Sequence, residues 1–296
     1  MKKKQLGFQI IIDIIMIALV LCCVLPLLLL IMSSFSEESS LLKYGYSFWP
    51  KEFSLAAYSY LWKQGATIFR AYGISILVTM IGTAASLAIT ALIAYPISRK
   101  DYPYRRIVSF LVIVTLLFNG GLVPTYFVYT QLLHIKNTIW GLLVPNLLMS
   151  GFNVMIMRSF FAGTIPMAII ESAQIDGAGE FRIFAKIVLP LSMPIMATVG
   201  LMVGIAYWDD WYNGMIYISD AKLFSIQNLL NRMLQDIQFL SSNAAVAGQA
   251  GSAIASIPST TVRMAIAVIG SLPIMIVYPF FQKYFEKGIT LGAVKG

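Results

Sequence analysis

Long, almost uncharged apolar runs leave this chain few ways to fold. Between Phe8 and Met32 the only charge is Asp13, and a run of that length exceeds the roughly 20 residues needed to cross a bilayer core as a helix. Similar runs recur at about 70–97, 107–130, 139–161, 191–212 and 262–285. Inside lipid every backbone N–H and C=O must find its partner within the segment, so each run is expected to be helical. Composition agrees: 11% of the residues are charged, against about 25% in a soluble domain. The expected fold is an all-α membrane protein of six transmembrane helices, forming one transmembrane domain over residues 1–296.

The net charge of +8 invites a nucleic-acid reading, but the cations gather in short loops beside the spans, where they set orientation. Ser98 to Arg106 alone holds four of them. With both termini in the cytosol, thirteen Lys and Arg residues lie inside and eight outside, which fits the positive-inside bias. The first run is too long for the apolar core of a secretory signal and is read as a retained span. Asp13 sits near its cytosolic end, where Lys2, Lys3 and Lys4 can compensate it. Cys22 and Cys23 are adjacent and at membrane depth, so packing is expected of them rather than a disulfide or a metal. His134, the single histidine, has no cluster of ligands around it in sequence, and no metal site is expected.

Several interruptions stand out. Asn119-Gly120-Gly121-Leu122-Val123-Pro124 should kink or unwind the third run. Asn146 and Asn153 fall in apolar surroundings and need partners, from another helix or a polar substrate. Gly200 and Gly204 are spaced for close helix approach, to another span or another subunit. Trp208, Asp209, Asp210 and Trp211 suit an interfacial aromatic belt, and equally a saccharide, whose apolar face stacks on aromatic rings while carboxylates accept from its hydroxyls. Asn119, Asn153, Trp208, Asp210 and Trp211 are therefore candidate residues of a substrate pathway. Outside, 36–69 carries a short amphipathic stretch from Leu55 to Trp62, and 215–261 another from Leu223 to Leu240.

The loop at 162–190 is different in kind. It carries three carboxylates and two cations between two apolar runs and must lie in water at a membrane face. Thr164 and Pro166 suit a helix start, Gly177 can stop that helix in the left-handed conformation, and a second helix can run from Ala178 to Val188 until Pro190. Two short helices at a corner make a rigid knob.

Glu171-Ser172-Ala173, Gly177 and the ending Ile187-x-Leu189-Pro190 resemble the Glu-Ala-Ala-x3-Gly-x9-Ile-x-Leu-Pro signature of permease subunits of type I ABC importers. Asp176, Ala178 and Phe181 are similar to the carbohydrate-uptake branch, the relatives of the maltose permease subunits. Ser172 replaces the usual alanine, small for small. The resemblance implies a type I importer permease fold in which Glu171, Ser172, Ala173, Asp176, Gly177, Ala178 and Phe181 form a coupling helix docked on a cytosolic ATPase. The tail at 286–296, through Gly292, Lys295 and Gly296, would reach into the ATPase dimer.

The chain lacks a Gly-x4-Gly-Lys-Ser/Thr phosphate loop and shows no catalytic constellation, so no enzymatic activity and no cofactor of its own is expected. Energy must come from a partner, and the resemblance places ATP and Mg²⁺ in the ATPase subunits. The further partners it implies are a second permease subunit, commonly a different chain, an extracytoplasmic solute-binding protein and the bilayer. The alternatives are an ABC permease for peptides or metal chelates, and an ion-driven secondary carrier.

Overall fold

The computed structural model describes the backbone of residues 2–242 and 259–293 and the side chains of 9–239 and 260–279. Lys295 and Gly296 of the expected tail contact lie outside the described residues, as does part of the outer segment. In chain order the helices are α1 (Lys2–Ser34), α2 (Glu38–Tyr44), α3 (Ala56–Lys63), α4 (Gly65–Ser98), α5 (Arg105–Leu117), α6 (Leu122–Phe127), α7 (Trp140–Leu143), α8 (Gly151–Thr164), α9 (Met167–Ile175), α10 (Glu180–Ile183), α11 (Leu189–Leu191), α12 (Met193–Trp208), α13 (Tyr212–Tyr217), α14 (Ile226–Ser242) and α15 (Ser259–Ala293). Among the described residues the only β pairing is one isolated bridge, Ser36 to Phe53.

Three unbroken helical segments are long and apolar enough to cross a membrane: Gln9–Ser34, Gly65–Ser98 and Thr260–Pro279. Three bent pairs raise the number to six if each pair counts as one span: Arg105–Leu117 with Leu122–Leu132 at 113°, Gly151–Thr164 with Met167–Ile175 at 76°, and Glu180–Leu191 with Met193–Trp208 at 80°. The first bend falls at Asn119 to Gly121, where the glycine pair was expected to interrupt the helix; Gly121 has φ 83° and the Asn119 side chain accepts from its N–H at 2.9 Å.

The run expected as one helix over 139–161 is instead α7 and α8, separated by a turn. Pro145 has no N–H to continue a helix, and Asn146 takes the left-handed conformation at φ 63° and is exposed rather than buried. The expected helix stop at Pro190 is also corrected. The chain stays helical through Leu191 and turns at Ser192. A π turn at Phe184–Val188 precedes the proline, and this widening relieves the clash a proline ring makes with the carbonyl four residues earlier. Thr164, expected to cap a helix, is the last residue of α8; Pro166 occupies the N-cap of α9, with no side-chain cap bond.

The chain divides into two compact units, residues 1–68 with 230–273 and residues 69–229 with 274–296. In the first, Phe35 stacks on Phe53 at 5.5 Å and on Tyr58 at 4.9 Å, and the Ser34 and Tyr58 hydroxyls share a 2.7 Å hydrogen bond. Glu38 closes this unit against α15: its carboxylate accepts from the N–H groups of Thr260 and Thr261, each at 2.8 Å, and from the Thr261 hydroxyl at 2.9 Å. Those N–H groups belong to a helix start, which has no partners of its own and favours a negative charge. Glu38→Ala should therefore destabilise the unit by about 1–2 kcal/mol, seen as a lower melting temperature in detergent; an unchanged value would contradict the capping role. Glu38 carries no recognisable sequence signal, because its partners follow more than 220 residues later.

In α1 every residue from Gln9 to Leu28 is exposed, and burial begins only at the end of the helix, at Ser33 and Ser34. Cys22 and Cys23 are free and exposed on it, so neither packs inside this chain. Asp13 is likewise exposed; the side chains of Lys2, Lys3 and Lys4, expected to compensate it, lie outside the described residues.

The second unit holds the main core. It links α4, α5, α8, α9, α10 and α12 through Ala94, Tyr95, Val112, Val154, Met157, Ile170, Ile183, Val199 and Tyr207. Here the glycine spacing finds its partner within the chain. A Cβ on Gly200 would sit 3.1 Å from Leu87, and one on Gly204 3.5 Å from Thr83, so the small face of α12 packs on α4. From the α4 side Gly82 meets the Tyr207 ring, and Tyr207 donates its hydroxyl to Leu143 O at 2.8 Å.

Candidate functional site

The corner from Met167 to Leu191 is built from a rooted face and a bare one. Ile170, Ile183, Phe184 and Val188 are buried in the main core, and Ala173 and Ala178 pack against it. Glu171, Ser172, Asp176 and Gly177 are exposed. Two large apolar side chains stand out into solvent beside them, Ile175 at 86% and Phe181 at 76% exposure. Exposed apolar side chains of that size, here flanked by exposed polar residues, offer a surface to a partner.

The turn between α9 and α10 is held from the backbone. Gly177 has φ 76°, its N–H donates to Gln174 O at 3.0 Å, and the Ala178 N–H donates to Ala173 O at 2.9 Å. These are the paired bonds of a Schellman helix end, which requires the left-handed residue where the glycine stands. The sequence reading of Gly177 as the stop of α9 therefore holds.

A charge cluster missed in the sequence lies against this corner. Arg99, counted there only as an orientation signal, is 6% exposed. Its guanidinium donates to Asp101 through both Nε and Nη2 and to both oxygens of Glu180, at 2.7 and 3.0 Å. Tyr95 accepts from Arg99 at 3.0 Å and donates its own hydroxyl to Glu180 at 2.9 Å. Gln174, on α9, donates to the same carboxylate at 2.9 Å. Hydrogen bonding from Arg99 holds the Asp101 carboxyl below its ordinary range. The contribution of Asp101 is therefore present above the unfolded carboxylate pKa of about 3.9 and is lost as pH falls through the lower folded value. Next to the cluster is a cavity of about 430 Å³ bordered by Leu92, Tyr95, Arg99, Tyr102, Glu180 and Phe181. Arg99 and Glu180 are 81 positions apart, a separation no local pattern announces.

The candidate pathway residues fall on several elements. Asn119 is exposed in the break after α5. Asn153 is buried inside α8 at 7% exposure. Trp208 is buried and lies 6.1 Å from Tyr72, ring centre to ring centre. Asp210 accepts from the Asn213 N–H at 3.0 Å, which ties its carboxylate to the start of α13. Trp211 is exposed and set edge-on to Tyr212. Gly292 lies within α15. His134 is exposed with φ 52°, and no group of three metal-ligating side chains occurs among the described residues.

Residues 87–291 match the family described as binding-protein-dependent transport system inner membrane component. The chain is 37% identical, over 93% of its length and 94% of the relative's, to the polygalacturonan/rhamnogalacturonan transport system permease protein YtcP of Bacillus subtilis. It is 28% identical to the trehalose/maltose transport system permease protein MalG of Thermococcus litoralis, over 95% and 94% of the two chains. Among solved structures it resembles a chain of a bacterial ABC transporter involved in the import of the acidic polysaccharide alginate, with a TM-score of 0.79 and 27% identity over 94% of this chain and 96% of that one. An all-helical chain with an exposed two-helix corner, matched over this length, belongs to the binding-protein-dependent transport system inner membrane components, the permease subunits of ABC importers.

Proposed function

We propose that this chain is one of two membrane subunits of an ATP-driven carbohydrate importer, that it lines half of the translocation pathway, and that α9 couples it to a cytosolic ATPase. The observation that carries the coupling role is the corner itself: Ile175 and Phe181 bare, Glu171 exposed beside them, and the opposite face rooted in the core. A knob stiffened by core packing can transmit a push that a flexible loop would absorb. Glu171 and Asp176 offer carboxylates to a basic cleft, while Ile175 and Phe181 supply the apolar area that makes docking favourable.

In this reading both termini and the α9 corner face the cytosol, in the bacterial cytoplasmic membrane. The ATPase pair binds ATP and Mg²⁺, and the tail around Gly292, Lys295 and Gly296 reaches toward it. A second permease subunit completes the pathway. A solute-binding protein delivers substrate to the outer segments around 36–69 and 215–261. Asn119, Asn153, Trp208, Asp210 and Trp211 remain the proposed pathway contacts. The sugar reading is supported by the relatives, whose names specify polygalacturonan and trehalose or maltose.

The test is uptake of a labelled oligogalacturonide by proteoliposomes holding this chain with its co-purifying partners. Uptake should require both ATP and the binding protein. Uptake driven by an ion gradient without ATP would overturn the proposal, and a binding protein that takes peptides but no saccharide would overturn its substrate class.

A further inference from the structure

The covalent link between α9 and α10 is Asp176-Gly177-Ala178-Gly179, a turn with two glycines that can flex under load. Glu180, the first residue of α10, spans that weak point. It receives Gln174 from the last turn of α9 on one side, and on the other Tyr95 from the last turn of α4 and Arg99 from just past its end. Burying a guanidinium is costly unless it is paired and fully bonded. Arg99 meets the condition by giving one edge of its planar fork to Asp101 and the other to Glu180, a geometry lysine cannot reproduce. The Tyr95 ring, 5.2 Å from that of Phe184, fixes the height of the cluster against the core.

We propose that Arg99, acting through Glu180, is a positioning residue that locks α9 to the end of α4, so that a displacement of α9 moves α4 instead of being absorbed in the turn at 176–179. This rests on the coupling role proposed for α9. Arg99 and Glu180 touch neither nucleotide nor substrate; they determine how far a push at the corner travels.

Two readouts on the assembled importer test this. The first is substrate taken up per ATP hydrolysed in proteoliposomes. Glu180→Gln keeps the shape and removes the charge that Arg99 pairs with, and should lower this ratio by about two- to fivefold, the size expected from losing a charged pair whose carboxylate is half exposed to solvent. Arg99→Lys keeps the charge, loses the fork, and should fall in between. The second readout is the distance between spin labels at Ala168→Cys and Lys100→Cys, with Cys22 and Cys23 changed to serine. One narrow distribution is expected in the parent and a broad one in Glu180→Gln. A distribution that stays narrow in Glu180→Gln, or uptake and hydrolysis that fall in parallel, overturns the proposal. Should Glu180→Gln fail to accumulate, the same two measurements on Arg99→Lys decide it. If the parent itself shows no link between ATP hydrolysis and uptake, the coupling role fails, while the label distances still report whether Glu180 locks the corner.

Discussion

Gly177→Asp is expected to abolish uptake while leaving the amount of the chain in the membrane unchanged. The position has φ 76° and nothing within 4 Å of where a Cβ would stand, so the penalty comes from the backbone and not from space. An L side chain in that conformation costs about 1–2 kcal/mol, with aspartate at the low end because its short polar side chain tolerates left-handed backbone better than most. The strain is relieved by unwinding the end of α9, which re-aims Glu171 and Ile175. The carboxylate added beside Asp176 also repels its neighbour. Because the site is exposed, the core that decides accumulation is untouched. Glu171→Ala should give the same phenotype by another route, with the helix intact and the carboxylate proposed to dock on the ATPase gone. Quantitative blotting of membranes beside an uptake assay checks both, and near-normal uptake in either variant would remove the corner from the coupling mechanism.

The second large effect falls on the fold. A Cβ on Gly82 would lie 2.6 Å from Cε1 and from Cε2 of Tyr207. That ring cannot step aside, since Tyr207 is buried and its hydroxyl is bonded to Leu143 O. Gly82→Ala is expected to cost about 1–3 kcal/mol through overpacking, with Gly82→Val worse, and the chain should disappear from membranes as bulk is added. Gly73→Ala, on the same helix with nothing within 4 Å, and Gly204→Ala, whose nearest neighbour is at an ordinary 3.5 Å, should both be tolerated. Equal loss across all three would show that any side chain harms these helices and that the Tyr207 contact is not special.

Arg99 and Gly82 show where sequence reading stops. In the sequence Arg99 is one cation among four in a loop; the fold makes it the buried centre of a cluster that joins the end of α4 to the corner between α9 and α10. Gly200 and Gly204 announced a close helix approach by their spacing, but nothing in the sequence named Leu87 and Thr83 as the surface they meet, or Gly82 as the mirror of that contact on α4. Asn146 looked buried because its neighbours in sequence are apolar, yet the turn after α7 turns it outward.

The sequence alone determined that the chain is helical and membrane-embedded, because apolar runs longer than a bilayer core admit no other backbone pairing. It also determined the corner at Gly177 and the family signature around Glu171, because helix stops and family signatures are written in residues close together in the chain. Only the tertiary structure decided which runs stay straight and which bend, and that Arg99 meets Glu180, Glu38 meets the start of α15, and Gly82 meets Tyr207. Those outcomes depend on side chains from distant positions competing for the same space and the same hydrogen bonds, a competition settled only once the helices have packed.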